Sequence, residues 1–204
     1  SAYAYRDQFA TMIKQWRSEW KQPQLPFLWV QLANFISDGD TPTSSSWAML
    51  RESQSAALAL PATAQAVIID VGDPGDIHPT DKQTVGHRLA LAARHVAYGE
   101  SLVYSGPVYR TAEFRGNEAR IGFDLQGSTL AARGGDALQG FELAGKDRRF
   151  HPATAKLEGE VVVVSSDKVT KPVAVRYAWR DNPENANLTN REKLPASPFR
   201  SDTW

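Results

Sequence analysis

The stretch Ala66-Val67-Ile68-Ile69-Asp70, followed by Val71-Gly72-Asp73-Pro74-Gly75-Asp76-Ile77-His78-Pro79, decides how the first half of the chain is read. A short apolar run, stopped by a loop of aspartate, glycine and proline, predicts a strand buried on both faces over residues 66–70. Directly after the loop, Thr80 and Gln83 have the spacing of a capping box. They open a helix carried by Val85, Leu89, Ala92, Ala93 and Val96 that stops at Gly99.

The same grammar runs upstream. Phe27-Leu28-Trp29-Val30-Gln31-Leu32-Ala33 is a nearly unbroken apolar run of strand length, read as a parallel strand covered on both faces. Before it, Phe9, Met12, Ile13, Trp16 and Trp20 recur at spacings of three and four with charged residues between them, which predicts an amphipathic helix over Tyr3 to Trp20. Between the two strands lie a loop rich in Asp, Gly, Pro and Ser and a helix from about Trp47 to Leu58. The pattern is α/β. Yet two strands with three helices do not close a stable doubly wound sheet, because each strand is left with an unpaired edge. The α/β half is therefore expected to need further strands, from polypeptide upstream of Ser1 or from a second chain.

Working downstream, the period changes to two from about Tyr104. Ile121, Phe123 and Leu125 alternate with Gly122 and Asp124, and Val173, Val175, Tyr177 and Trp179 alternate with Ala174, Arg176 and Ala178. Turn signals at Gly116-Asn117, Gly134-Gly135-Asp136, Gly145 and Ser166-Asp167 space these runs as in a β-sandwich. The expected organisation is an α/β part over residues 1–103 and an all-β, sandwich-like part over residues 104–204.

Composition narrows the function classes. Lys+Arg and Asp+Glu both total 23, so the formal net charge is zero and no basic footprint for a nucleic-acid partner is present. No apolar run approaches the roughly 20 residues that cross a bilayer, so no membrane partner is expected. With no cysteine there is no thiol nucleophile, disulfide framework or thiolate metal site.

Chemistry concentrates in the 70–79 loop, at the carboxyl end of a strand, where α/β enzymes place their sites. Asp70, Asp73 and Asp76 lie within nine residues of sequence that end at His78. A histidine held by a carboxylate is what a serine nucleophile needs: the imidazole takes the hydroxyl proton and the carboxylate fixes its tautomer. A solvated turn with an incidental histidine is the plainer reading of the same residues. Asp76 and His78 could also contribute metal ligands, but His87, His95 and His151 lack a partner spacing, so no metal is expected. His87 and His95 read as surface or packing residues, and His151 as a loop residue.

The run Asp76-Ile77-His78-Pro79-Thr80-Asp81-Lys82-Gln83-Thr84-Val85-Gly86, with Arg88-Leu89-Ala90 and Ala97-Tyr98-Gly99, resembles the last block of the sialate O-acetylesterases among the SGNH hydrolases. Tyr5-Arg6-Asp7, Trp16-Arg17, Val30-Gln31-Leu32-Ala33-Asn34-Phe35, Leu50-Arg51-Glu52, Tyr104-Ser105-Gly106-Pro107, Val175-Arg176-Tyr177-Ala178-Trp179 and Leu194-Pro195-Ala196-Ser197-Pro198-Phe199-Arg200 extend the resemblance over nearly the whole chain. It implies the C-terminal portion of such an enzyme: part of a flavodoxin-like three-layer sheet completed by upstream strands, then the β region. It implies His78 as the catalytic base and Asp76 as its orienting acid. Many SGNH enzymes space the pair as Asp-x-x-His, which would fall on Gly75, so the alternatives are Asp73 or Asp70, if the loop turns back, or a backbone carbonyl with the site working nearly as a Ser-His dyad.

The family's nucleophilic serine and oxyanion donors belong to blocks before Ser1. None of Ser44, Ser45, Ser46 and Ser53 has the matching context, so the nucleophile is expected not on this chain but on an upstream serine-bearing segment or chain of the same enzyme. The implied substrate is an O-acetylated carbohydrate, a sialic acid or another acetylated glycan, with no cofactor and a periplasmic or secreted location. The rival reading is a non-catalytic carbohydrate-binding or scaffolding module in which the β half is the working part. Trp29 and Trp47 read as core, and the loop between Phe35 and Trp47 as a possible pocket wall.

Overall fold

The apolar positions spaced three and four apart place one side of α1 (Ala2–Glu19) against the body of the protein. The structure, a computed structural model, describes residues 2–36, 45–135 and 137–204. Ser44, Asp136 and most of the loop between Phe35 and Trp47 lie outside the described residues. Ile13 is fully buried, Phe9 meets Trp29 edge-on at 5.1 Å, and Trp16 meets Phe27 at 6.3 Å. Arg17 is buried too. Its guanidinium donates to the carbonyls of Leu25 at 2.9 Å and Pro61 at 2.6 Å, which ties the helix to the segments that lead into both parallel strands. Met12, Trp16 and Trp20 keep 39, 48 and 58% of their surface exposed, so much of the apolar stripe has no cover among the described residues.

Strand β1 (Phe27–Val30) pairs in parallel with β2 (Thr63–Ala66), Phe27 beside Thr63 and Val30 beside Ala66. Phe27 N–H bonds to the Ala62 carbonyl and Gln31 N–H to that of Ala66. By the alternation of a strand, the backbone groups of Leu28 and Val30 then point to the opposite edge, where no described strand pairs. β1 is half-buried rather than covered on both faces. The second strand also differs from expectation: the ladder ends at Ala66, and Val67, Ile68 and Ile69 are buried without belonging to it. Val67 and Ile69 instead pack into the core of the β half, and an apolar run reports burial, not hydrogen-bond pairing.

Helix α2 (Ser46–Ser55), continued by a 3₁₀ turn (Ala56–Ala59), connects the strands, with the Ser45 hydroxyl accepting from Ala48 N–H at 3.0 Å. Helix α3 (Lys82–Val96) starts one residue later than the capping box predicts. Asp81, not Thr80, is the N-cap, accepting from Thr84 N–H at 2.9 Å; an anionic acceptor at the positive end of the helix is the better partner. The helix ends as expected, with Gly99 at φ +70° and Glu100 N–H bonded to the Arg94 carbonyl.

The remaining strands are β3 (Val108–Arg115), β4 (Glu118–Asp124), β5 (Leu130–Ala132), β6 (Phe141–Ala144), β7 (Phe150–Pro152), β8 (Thr154–Glu158), β9 (Val161–Ser165), β10 (Ala174–Tyr177), β11 (Leu188–Asn190) and β12 (Phe199–Arg200). They form two four-stranded antiparallel sheets, in the orders β3-β4-β9-β8 and β12-β10-β6-β7, with β5 and β11 paired beside them. Ile121, Val162 and Val164 from one sheet and Leu143, Val175 and Tyr177 from the other share one core. All four residues of β10 are buried, although the sequence alternates. Arg176 is covered because Asp202 takes its guanidinium at 2.8 Å and the Phe150 ring lies 3.9 Å below it. His151 lies in β7 opposite Leu143, not in a loop, because the turn at Gly145 folds the chain back onto β6 sooner than Phe-His-Pro suggested.

Candidate active site

The 70–79 segment leaves the parallel pair at the carboxyl end of β2 and is held from beneath by the continuation of β1. Asn34 Oδ1 accepts from Gly72 N–H at 2.9 Å, and Ile36 N–H donates to the Pro74 carbonyl at 3.0 Å. Gly72 approaches so closely that a Cβ there would lie 2.1 Å from Asn34 Oδ1, so only glycine fits. Beyond these anchors the chain turns tightly. Asp73 Oδ1 accepts from Gly75 N–H at 2.8 Å, and Asp76 N–H reaches the Asp73 carbonyl at 3.3 Å.

That turn brings Asp76 and His78 together. Asp76 Oδ1 lies 2.9 Å from His78 Nδ1 and accepts from His78 main-chain N–H at 2.8 Å. These bonds, the backbone one first, hold the Asp76 carboxyl below its ordinary value. An ionised carboxylate facing Nδ1 takes the N–H of that nitrogen and leaves Nε2 as the acceptor. The imidazole is 81% exposed, and Nε2 has no hydrogen-bond partner among the described residues. A base presented outward in this way can take a proton from a group that docks against the loop.

Neither of the other two carboxylates is bonded to the imidazole. Asp73 spends Oδ1 on its own turn, and Asp70 is clamped by Arg88 and lies 3.5 Å from Arg133. His95 stacks on Tyr104 at 4.0 Å and His87 is exposed. Among the described residues no group of three or more His, Cys, Asp or Glu is arranged to hold a metal. A cavity of about 430 Å³ lies between β2, α2 and the segments 104–109 and 195–200, but His78 does not line it. Ser45 turns its hydroxyl onto Asp181 and Ser53 is fully buried, so neither approaches the histidine. Trp29 packs against α1, and Trp47 lies 5.8 Å from Phe35.

Three residues give the loop its place, and local sequence does not reveal their partners. Arg51, fully buried on α2, donates to the carbonyls of Leu32 at 2.8 Å, Ala33 at 2.7 Å, Arg180 at 2.7 Å and Asp181 at 2.9 Å. Asn34 Nδ2 donates to Asn182 Oδ1 at 2.9 Å. The β half therefore reaches the segment that carries the histidine loop.

No protein-family model matches the chain. Over its full length it superposes on a crystal structure described as a novel carbohydrate acetylesterase from Xanthomonas citri, with a TM-score of 0.98 and 66% identity, covering 47% of that protein. Proteins named sialate O-acetylesterase from Pongo abelii and Mus musculus are 29 and 28% identical to it over 96% of its length. The chain is a relative of the sialate O-acetylesterases and of this carbohydrate acetylesterase. It spans less than half the length of these relatives, 42 and 40% of the two sialate O-acetylesterases. The Asp76–His78 pair, Asn34 and Arg51 all lie within the part that is similar to these proteins.

Proposed function

We propose that this chain is the C-terminal, histidine-bearing portion of a carbohydrate O-acetylesterase of the SGNH type. In the assembled enzyme a serine from an upstream segment or a second chain attacks the acetyl carbonyl. His78 Nε2 accepts the serine proton and gives it to the departing sugar oxygen, which leaves as a hydroxyl. Asp76 holds the imidazole by Nδ1 and stabilises the imidazolium that forms; water then releases acetate by the same relay. The substrate class is an O-acetylated sugar, in keeping with the relatives' names.

The observation that carries this reading is the 2.9 Å contact between Asp76 Oδ1 and His78 Nδ1 at the carboxyl end of a parallel strand. The half-buried strand β1, one edge of which meets no described strand, and the exposed apolar residues of α1 support a further parallel strand and its covering segment beside them. His78→Ala in the complete enzyme is the test. Turnover of 4-nitrophenyl acetate falls on the order of a thousandfold or more with the fold intact, since the side chain is exposed and packs on little. A folded mutant that keeps a tenth of the wild-type rate overturns the assignment and returns the chain to a binding module.

A further inference from the structure

We propose that Asn34 and Asn182 form a positioning relay through which the β half sets the position of the histidine loop, so that the β half is part of the esterase's catalytic scaffold and not an appended module. The inference rests on the reading of His78 as the base. Asn34 is 3% exposed, and its planar amide is used on both sides. Its oxygen accepts from Gly72 N–H, which can only donate, so its nitrogen must face Asn182 Oδ1. Only a side chain with an acceptor and a donor on one short, rigid group can make both contacts. Gly72 stands four residues before Asp76, and its missing Cβ lets the loop backbone sit directly on the amide.

The two asparagines are registered by the main chain that precedes each. Arg51 gathers the carbonyls of Leu32 and Ala33 on one side with those of Arg180 and Asp181 on the other, and Phe35 N–H bonds to the Asp181 carbonyl at 3.3 Å. The joint between the halves is therefore fixed within one or two residues of Asn34 and of Asn182. The asparagine pair carries that fixed joint out to Gly72, and the turn from Asp73 to Asp76 carries it to the imidazole. A displacement of about 1 Å in a catalytic group lowers turnover on the order of a hundredfold.

The test uses the complete enzyme with Asn182→Leu, which removes the acceptor, and Asn182→Asp, which keeps it. Hydrogen exchange of the Gly72 amide reads the brace directly, and kcat and KM read its consequence. Asn182→Leu is expected to speed Gly72 exchange at least tenfold and lower kcat ten- to hundredfold with KM within twofold of wild type. Asn182→Asp is expected to restore both. Asn182→Ser, smaller and polar, repeats the loss if the leucine variant does not fold. Unchanged Gly72 exchange in the leucine or serine variant overturns the relay, and so does faster exchange with wild-type kcat. A His78→Ala enzyme that keeps its turnover overturns the catalytic reading instead; the exchange measurement then still decides whether Asn182 braces the loop.

Discussion

Arg88 grips Asp70 with both prongs of its guanidinium, Nη1 to Oδ1 at 2.6 Å and Nη2 to Oδ2 at 2.8 Å, while Nη1 also donates to the Val67 carbonyl at 2.7 Å. Both side chains are at most 8% exposed. The pair joins α3 to the end of the strand segment and removes Asp70 from any role beside His78, although Asp70 shares its short loop. A bidentate ion pair uses both carboxylate oxygens, and breaking a buried one leaves an uncompensated charge.

With Asp70 engaged, Asp76→Asn is expected to lower kcat at least tenfold more than Asp73→Asn. Asparagine at 76 removes the anion that faces Nδ1, whereas asparagine at 73 keeps the oxygen that accepts from Gly75 N–H. The two variants of the complete enzyme are compared in an acetate-release assay. A larger effect at Asp73 means that the loop rearranges when the enzyme assembles; two mild effects mean that the histidine works without an orienting acid.

The carboxyl of Asp76 is expected to titrate below 3.8, because its ionised form is the one that receives the His78 backbone and ring hydrogen bonds. Its contribution to stability is present above pH 3.8, where the unfolded chain is also ionised, and is lost as the pH falls through the lower folded midpoint. Carboxyl NMR across that range measures the midpoint directly. A value at or above 3.8 shows that the Asp76–His78 contact is not formed in solution.

Arg51→Met is expected to destabilise the protein by roughly 3 kcal/mol or more, since the carbonyls of Leu32, Ala33, Arg180 and Asp181 lose buried donors together. For a protein of this size that corresponds to a fall in Tm of about 6–12 °C. Arg51→Lys recovers little, because a point charge cannot reach carbonyls on both sides of the joint. Calorimetry on the three proteins checks this, and a shift under about 2 °C for methionine would remove Arg51 from the joint.

On the proposed reading, the 204-residue chain on its own is expected to hydrolyse 4-nitrophenyl acetate no faster than free imidazole, and to aggregate or bind another polypeptide through the edge of β1 that meets no described strand and through the exposed Trp16 and Trp20. Adding the proposed serine-bearing segment, joined or separate, is expected to restore solubility and activity. Size-exclusion chromatography beside the esterase assay tests both. A monodisperse, active chain would point to a nucleophile within residues 1–204.

What the sequence by itself determined are the features whose causes lie within a few residues. The spacing of Phe9, Ile13 and Trp16 is a property of one helix, and Gly99 ends α3 by its own backbone freedom. The Asp76–His78 contact spans two residues of a tight turn, so the motif and the geometry are nearly the same object. Tertiary structure alone decided the rest. The apolar run from Val67 to Ile69 could report only that it is buried, and whether it pairs or packs depended on the β half folding beside it. Polar partners are more hidden still. Asn34 meets Asn182 across 148 positions, and Arg51 is satisfied by main-chain carbonyls, which every residue possesses and which therefore leave no mark in a sequence. A buried amide or guanidinium states that it needs partners, but only the approach of distant backbone fixes which ones, because hydrogen bonds act over about 3 Å and the chain is free to bring any two segments to that distance.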